Sequence, residues 1–139
     1  MPLLVDTGVL YALADRSDAW HGRVKTLFAA NHESLLTPVT VLPEVTYLLA
    51  TRLGAQAKRA FLHSLVNGEL TIEPLTAADL RRALELLGDY PDIGFVDATV
   101  IAMAERLKLK TIATTDRRHF TTVKPRHVAQ FTLVPPGPA

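Results

Sequence analysis

Short apolar runs alternate with longer amphipathic stretches along the whole chain, and this alternation constrains the fold more than any other feature. A run of a few apolar residues suits a strand buried on both faces. Apolar residues at helical spacing must instead be laid against such strands. Strand and helix in regular succession give an α/β protein with a mainly parallel sheet, because parallel neighbours need a long crossover between them.

Leu3-Leu4-Val5 predicts a first strand, followed by a short helix through Val9, Leu10 and Leu13. Asp18 is placed to cap a second helix carrying Trp20, Val24, Leu27 and Phe28. Ser34 to Thr37 predicts the next strand. Thr40 is placed to cap a helix that tolerates Pro43 in its first turn. Gly54 ends that helix or bends it into another, with Ala57, Phe61, Leu62 and Leu65. Leu70 to Ile72 predicts a third strand, and Thr76 with Asp79 a capping box before Leu80, Leu84 and Leu87. A loop from Tyr90 to Gly94 leads into an apolar helix from Phe95 to Leu107. Thr111 to Thr114 and Phe131 to Val134 predict the last two strands. Residues 1–134 are expected to form one domain, and Pro135 to Ala139 a short, Pro-rich frayed tail.

At 139 residues, 48% of them apolar and 21% charged, such a domain can bury a core without covalent staples. The chain has no cysteine, which removes disulfides, thiolate zinc sites and cysteine nucleophiles. Asp6 interrupts the opening apolar run too early for a secretory signal, and no apolar run approaches membrane-spanning length. A cytoplasmic location is expected. The five histidines show no ligand spacing, so a histidine metal site is not expected.

Most of the fourteen acids lie in caps, turns or polar helix faces, Glu85 and Glu105 among the last. Four do not. Asp6 and Asp116 each follow an apolar strand, at the carboxyl end where open parallel sheets bind ligands. Glu44 and Asp97 lie in helices that read as apolar on nearly every side, with no Lys or Arg within a turn. Each alone has a bland explanation as a cap or a first-turn acid. Together they ask for a counter-charge, since a buried ion costs several kcal/mol unless compensated and gathered acids repel. A hard divalent cation satisfies both demands. Net charge is only +1, but with four acids committed to a cation, fifteen Lys and Arg face the other ten. That surplus suits a polyanionic partner.

The stretches LLVDTGVLYAL, TPVTVLPEVTYLLATRLG and IGFVDATVIAMAERLKLKTIATTDRRHF resemble a PIN domain, specifically the VapC-type toxins of bacterial and archaeal toxin–antitoxin pairs. The resemblance implies a three-layer α/β/α sandwich around four to five strands, and an acidic quartet at Asp6, Glu44, Asp97 and Asp116. It also implies a Mg²⁺- or Mn²⁺-dependent endoribonuclease leaving 5′-phosphate and 3′-hydroxyl ends, a homodimer, and control by a cognate antitoxin. Asp92, ahead of the third acidic motif, becomes an outer-shell candidate, as do Thr7 and Thr115 beside two of the acids. Arg117, Arg118 and His119 directly follow Asp116 and are candidates for holding RNA, with Phe120 a stacking candidate or a buried side chain. Leu48, Leu49, Leu53, Phe61, Leu62 and Leu65 offer apolar surface for a dimer contact or an antitoxin groove.

Other classes fit less well. Asp6-Thr7-Gly8 also occurs in aspartic proteases, which need an all-β scaffold. A phospho-acceptor signalling domain needs adjacent acids after the first strand and a lysine after the last, and neither is present. A PIN-like fold used in RNA processing or purely for binding stays open on sequence grounds.

Overall fold

The computed structural model describes residues 1–137. Five strands form one parallel sheet: β1 (Leu3–Val5), β2 (Leu35–Pro38), β3 (Thr71–Glu73), β4 (Thr111–Ala113) and β5 (Thr132–Val134). Their order is β3-β2-β1-β4-β5, so the chain starts in the middle, winds outward to one edge, then returns to build the other. The direction of winding reverses between β1 and β4, which are paired with Leu4 opposite Ile112 and Val5 opposite Ala113. Ligands bind beside the carboxyl ends of strands at such a reversal.

Seven helices join the strands: α1 (Thr7–Ala14), α2 (His21–Ala30), α3 (Leu42–Arg52), α4 (Ala55–Val66), α5 (Ala77–Asp89), α6 (Phe95–Arg106) and α7 (Arg117–Thr122). The predicted α/β/α sandwich holds. Leu4, Val5 and Ile112 are wholly buried, as short strands covered by helices must be. Helix α6 is the most enclosed helix, buried from Ala98 to Glu105. Its partner α5 begins at the expected capping box, in which Thr76 and Asp79 exchange hydrogen bonds of 3.0 Å.

Several expectations are corrected. Asp18 accepts the Trp20 N–H at 2.8 Å, forming a turn ahead of α2, so Trp20 precedes the helix. Thr40 caps nothing. It sits in a 3-10 turn (Val39–Val41) that runs straight into α3, whose flanking Val41 has no capping side chain. Leu80 and Leu84 face solvent, while the inward face of α5 is Asp79, Ala83 and Leu86. Pro135, placed in the expected tail, is buried; Pro138 and Ala139 lie outside the described residues. Of the six residues expected to offer a contact surface, Leu49 and Phe61 belong to the core, whereas Leu53 and Leu62 are exposed.

The acids also divide differently. Glu105 is buried rather than on a polar face. It accepts from Arg82 at 2.7 and 3.1 Å and from the Arg126 N–H at 2.9 Å. Asp79 is likewise buried and held by Arg106 at 2.9 to 3.2 Å. Both are acids paired with arginine between helices, a pairing that the sequence hides because the partners are more than twenty positions away. Removing one member strands the other charge in a half-buried place. Glu105→Ala is expected to lower unfolding free energy by about 3 kcal/mol, read by urea titration. A loss within about 0.5 kcal/mol, the range of ordinary surface changes, would show that Arg82 finds water instead.

Candidate metal-binding active site

The site is assembled at the carboxyl edge of β1 and β4. Asp6 ends β1 and caps α1: its backbone N–H donates to Ala113 O at 3.1 Å, and its Oδ1 accepts the Val9 N–H at 3.4 Å. Oδ2 takes a short hydrogen bond from the Thr114 hydroxyl. The same hydroxyl oxygen accepts the Asp116 N–H at 3.0 Å, so one buried threonine fixes both strand ends. Thr115, the expected outer-shell residue, does something else. Its Oγ1 fills the space beside Gly8, where an added Cβ would lie 2.0 Å away. Glycine at position 8 thus lets the turn after β4 close against the start of α1. Sequence spacing could not choose between two adjacent threonines, since strand alternation decides which one points inward.

Asp97, in the first turn of α6, and Asp116, ahead of α7, meet at His119. The imidazole Nδ1 lies 2.8 Å from Asp97 Oδ2 and 3.5 Å from Asp116 Oδ2. Atoms of these three side chains lie within 4.8 Å of one another, close enough to share a cation. A histidine at this position contradicts the expectation from linear spacing. Its partners are set by α7, a six-residue helix too short to show periodicity. Phe120 on that helix is wholly buried, which makes it a core side chain rather than a stacking surface.

Glu44 completes the group from the first turn of α3, where its Oε1 accepts the Thr7 hydroxyl at 2.7 Å. Glu44 is exposed, contrary to expectation. Only Val45 and Leu49 of α3 are buried, so the helix has a solvent face despite its apolar sequence. Burial therefore does not explain Glu44; its position does. The 3-10 turn that leads into α3 is held against α6 by a 2.8 Å contact between the Thr40 and Thr99 hydroxyls, and Thr99 in turn donates to Val96 O at 2.7 Å.

Electrostatics binds the four acids into one group. Burial pushes the Asp6 carboxyl up to about 7, against the Thr114 and Val9 hydrogen bonds that oppose it, and the charges of Asp97 and Asp116 add to the rise. Burial likewise raises Asp97, with Asp116 and Glu44 adding to it and the His119 bond opposing. Among the described residues no Lys or Arg is paired with any of the four, unlike Asp79 and Glu105. The donor set is oxygen-rich and anionic, which fits a hard divalent cation. Asp92 is exposed and stands apart, in a neighbouring cleft with Arg118. Arg117 turns away: its guanidinium lies over the Trp20 ring, 5.1 Å from the centroid, and donates to Leu133 O at 3.2 Å.

With this geometry established, comparison with known proteins identifies the class. The family model of the PIN domain matches residues 3–124, and the chain belongs to the PIN-domain family. It is 33% identical over 135 residues to Ribonuclease VapC26 of Mycobacterium tuberculosis, covering 96% of this chain and all of that protein. It is also 33% identical over 106 residues to the 23S rRNA-specific endonuclease VapC20 of the same species, covering 75% of this chain and 81% of that one. The crystal structure of M. tuberculosis VapC20, a Sarcin-Ricin loop cleaving toxin, superposes with a TM-score of 0.78 at 29% identity. That match covers 84% of this chain and 91% of the other. VapBC2 of Rickettsia felis shares the fold, with a TM-score of 0.69 at 17% identity over 96% of this chain and 97% of that one.

The raised Asp6 carboxyl makes a signed prediction for the protein in chelator. Its folded value lies above the unfolded 3.8, so the native state holds the extra proton between these values and stability falls as pH rises from about 4 to 7. The loss is at most about 4 kcal/mol, from three pH units at 1.36 kcal/mol each. Thermal midpoints should fall over that window for the wild type and stay flatter for Asp6→Asn. Parallel curves for the two proteins would remove Asp6 from this role.

Proposed function

We propose that this chain is a Mg²⁺- or Mn²⁺-dependent endoribonuclease, the toxin of a VapBC-type toxin–antitoxin pair. The observation that carries this reading is the meeting of Asp97 and Asp116 with His119 within 4.8 Å, in a chain whose relatives of similar length are named as RNA-cleaving enzymes. Buried Asp6 lies beside them at the β1–β4 edge, and Glu44 is near enough for its charge to raise Asp97. Asp97, Asp116 and His119, whose ligand atoms lie within 4.8 Å of one another, would hold the cation, and Asp6 would join them from the end of β1. When bound, such an ion supplies the positive charge that lowers the pKa of a water and stabilises the phosphoryl oxygens.

The remaining work falls to the chain's own residues. Thr7 engages Glu44 Oε1 and leaves Oε2 available to take a proton from the attacking water. His119 sits between Asp97 and Asp116 and moderates their repulsion. Thr114 holds Asp6 in one rotamer and keeps the turn to Asp116 closed. Arg118, exposed beside His119 at 3.2 Å, is the arginine left free to meet RNA next to the acids. The cognate antitoxin and the homodimer belong to the same reading. Exposed Leu80, Leu84 and Phe95 supply apolar surface of the kind that association covers. A cytoplasmic site of action follows from an RNA target; among the described residues no helix is long and apolar enough to cross a membrane.

The deciding experiment purifies the protein free of antitoxin and offers it structured RNA with Mg²⁺ or Mn²⁺. Wild type is expected to cleave, and Asp6→Asn to be slower by about a hundredfold or more, the scale of losing a group that orders the transition state. Equal cleavage by both would identify a contaminating nuclease and end this reading. For RNA binding, Arg118→Ala should weaken affinity by about tenfold, the scale of one good paired contact, whereas Arg117→Ala should leave affinity unchanged. The opposite pattern would reassign the RNA contact to Arg117.

A further inference from the structure

An open cleft of about 490 Å³ lies beside the acids, lined by Asp89, Tyr90, Asp92, Ile93, Arg118 and His119. Its size is that of a small-molecule site. The cleft and the acidic group share one side chain. His119 reaches Asp97 through Nδ1 at 2.8 Å and Arg118 through Nε2 at 3.2 Å, so whatever fills the cleft is the immediate neighbour of whatever sits on the acids. We infer that this cleft is a nucleobase subsite that selects guanine next to the scissile phosphate. The inference rests on the nuclease reading for its biological sense, but makes a binding claim of its own.

The lining chooses the ligand. A phosphate would meet two carboxylates, Asp89 and Asp92, against the single guanidinium of Arg118, and would be repelled. A base carries no charge and has a flat face. Ile93, which is buried, provides an apolar floor. The Tyr90 ring provides a wall, pinned by the Lys124 N–H donating to its hydroxyl at 3.2 Å and by the turn in which Ile93 N–H donates to Tyr90 O at 3.2 Å. Aromatic walls of this kind stack bases of single-stranded RNA. The two aspartates, ionised, are acceptors only, and both are exposed, so donor groups of a ligand can reach them. Guanine matches both polarities. Its N1–H and exocyclic amine present adjacent donors to a carboxylate, while O6 and N7 accept from an arginine. Adenine, cytosine and uracil each lack one half of that pattern.

The test starts from any RNA the wild type cleaves and varies each nucleotide flanking the cut among the four bases. Wild type should cut about tenfold or more faster with guanine at one of the two positions, the scale of one good paired contact. Asp89→Asn with Asp92→Asn should bring the four rates within about twofold of one another. Both residues are exposed, so the fold is preserved, as circular dichroism will record. Tyr90→Phe should keep the preference, and Tyr90→Ala should slow cleavage with all four bases, because stacking serves every base alike. A second arm needs no cleavage: guanosine and adenosine 5′-monophosphates are titrated by NMR in chelator, with guanosine expected to shift the Tyr90 and His119 signals at lower concentration. Selective shifts in a protein that cleaves nothing would support the cleft and sink the nuclease reading. Rates indifferent to base, a preference that survives the double variant, or equal shifts with both nucleotides would overturn the subsite.

Discussion

The parallel pairing of β1 with β4 is the constraint on which the rest depends. Their register, Val5 opposite Ala113, makes both strands end at the same level. The Asp6 N–H extends that ladder by one rung to Ala113 O, and Thr114 extends the next one to Val134 O at 2.9 Å. Because adjacent residues of a strand point to opposite sides, a shift of one position would turn Asp6 and Thr114 away from each other. Strands fully covered by helices tolerate no such shift, since the buried runs Leu3–Val5 and Ile112–Ala113 would lose their packing. The site inherits its rigidity from the sheet.

Against that rigid edge the protein gathers like charges, which is the reverse of what stability favours. Two other buried acids show the ordinary solution: Asp79 and Glu105 each hold an arginine from a neighbouring helix, within 2.9 and 2.7 Å. Asp6, Asp97 and Asp116 are surrounded instead by a threonine hydroxyl, an imidazole and one another. That difference in partners separates acids neutralised by arginine from acids grouped where a cation could bind. The cost is visible in the raised Asp6 and Asp97 carboxyls. A cation-binding centre relies on such tension, because the ion then relieves it.

The geometry also explains why α7 matters beyond its six residues. It carries His119 to the acids, turns Arg118 toward the cleft and buries Phe120, while Arg117 packs on Trp20. Four successive side chains thus take four different environments. A basic run read as one surface is in fact divided around a helix.

Much of this was legible in the chain itself. The alternation of apolar runs and helical periodicities pointed to four to five strands, their boundaries within about one residue, and a mainly parallel sheet, because buried strands and amphipathic helices leave few other ways to hide both. The acids at Asp6 and Asp116 were legible for the same reason, as charges at the ends of apolar strands. Asp97 was legible as a charge in an apolar helix, although Glu44, singled out on the same ground, is exposed. What only the tertiary structure decided were relations across the fold: Thr114 rather than Thr115 on Asp6, His119 between two carboxylates, arginine partners for Asp79 and Glu105, and an outward face for Leu80 and Leu84. Periodicity reports which residues share a face of one element. It carries no information about which face another element will cover, and that is set by packing between segments distant in sequence.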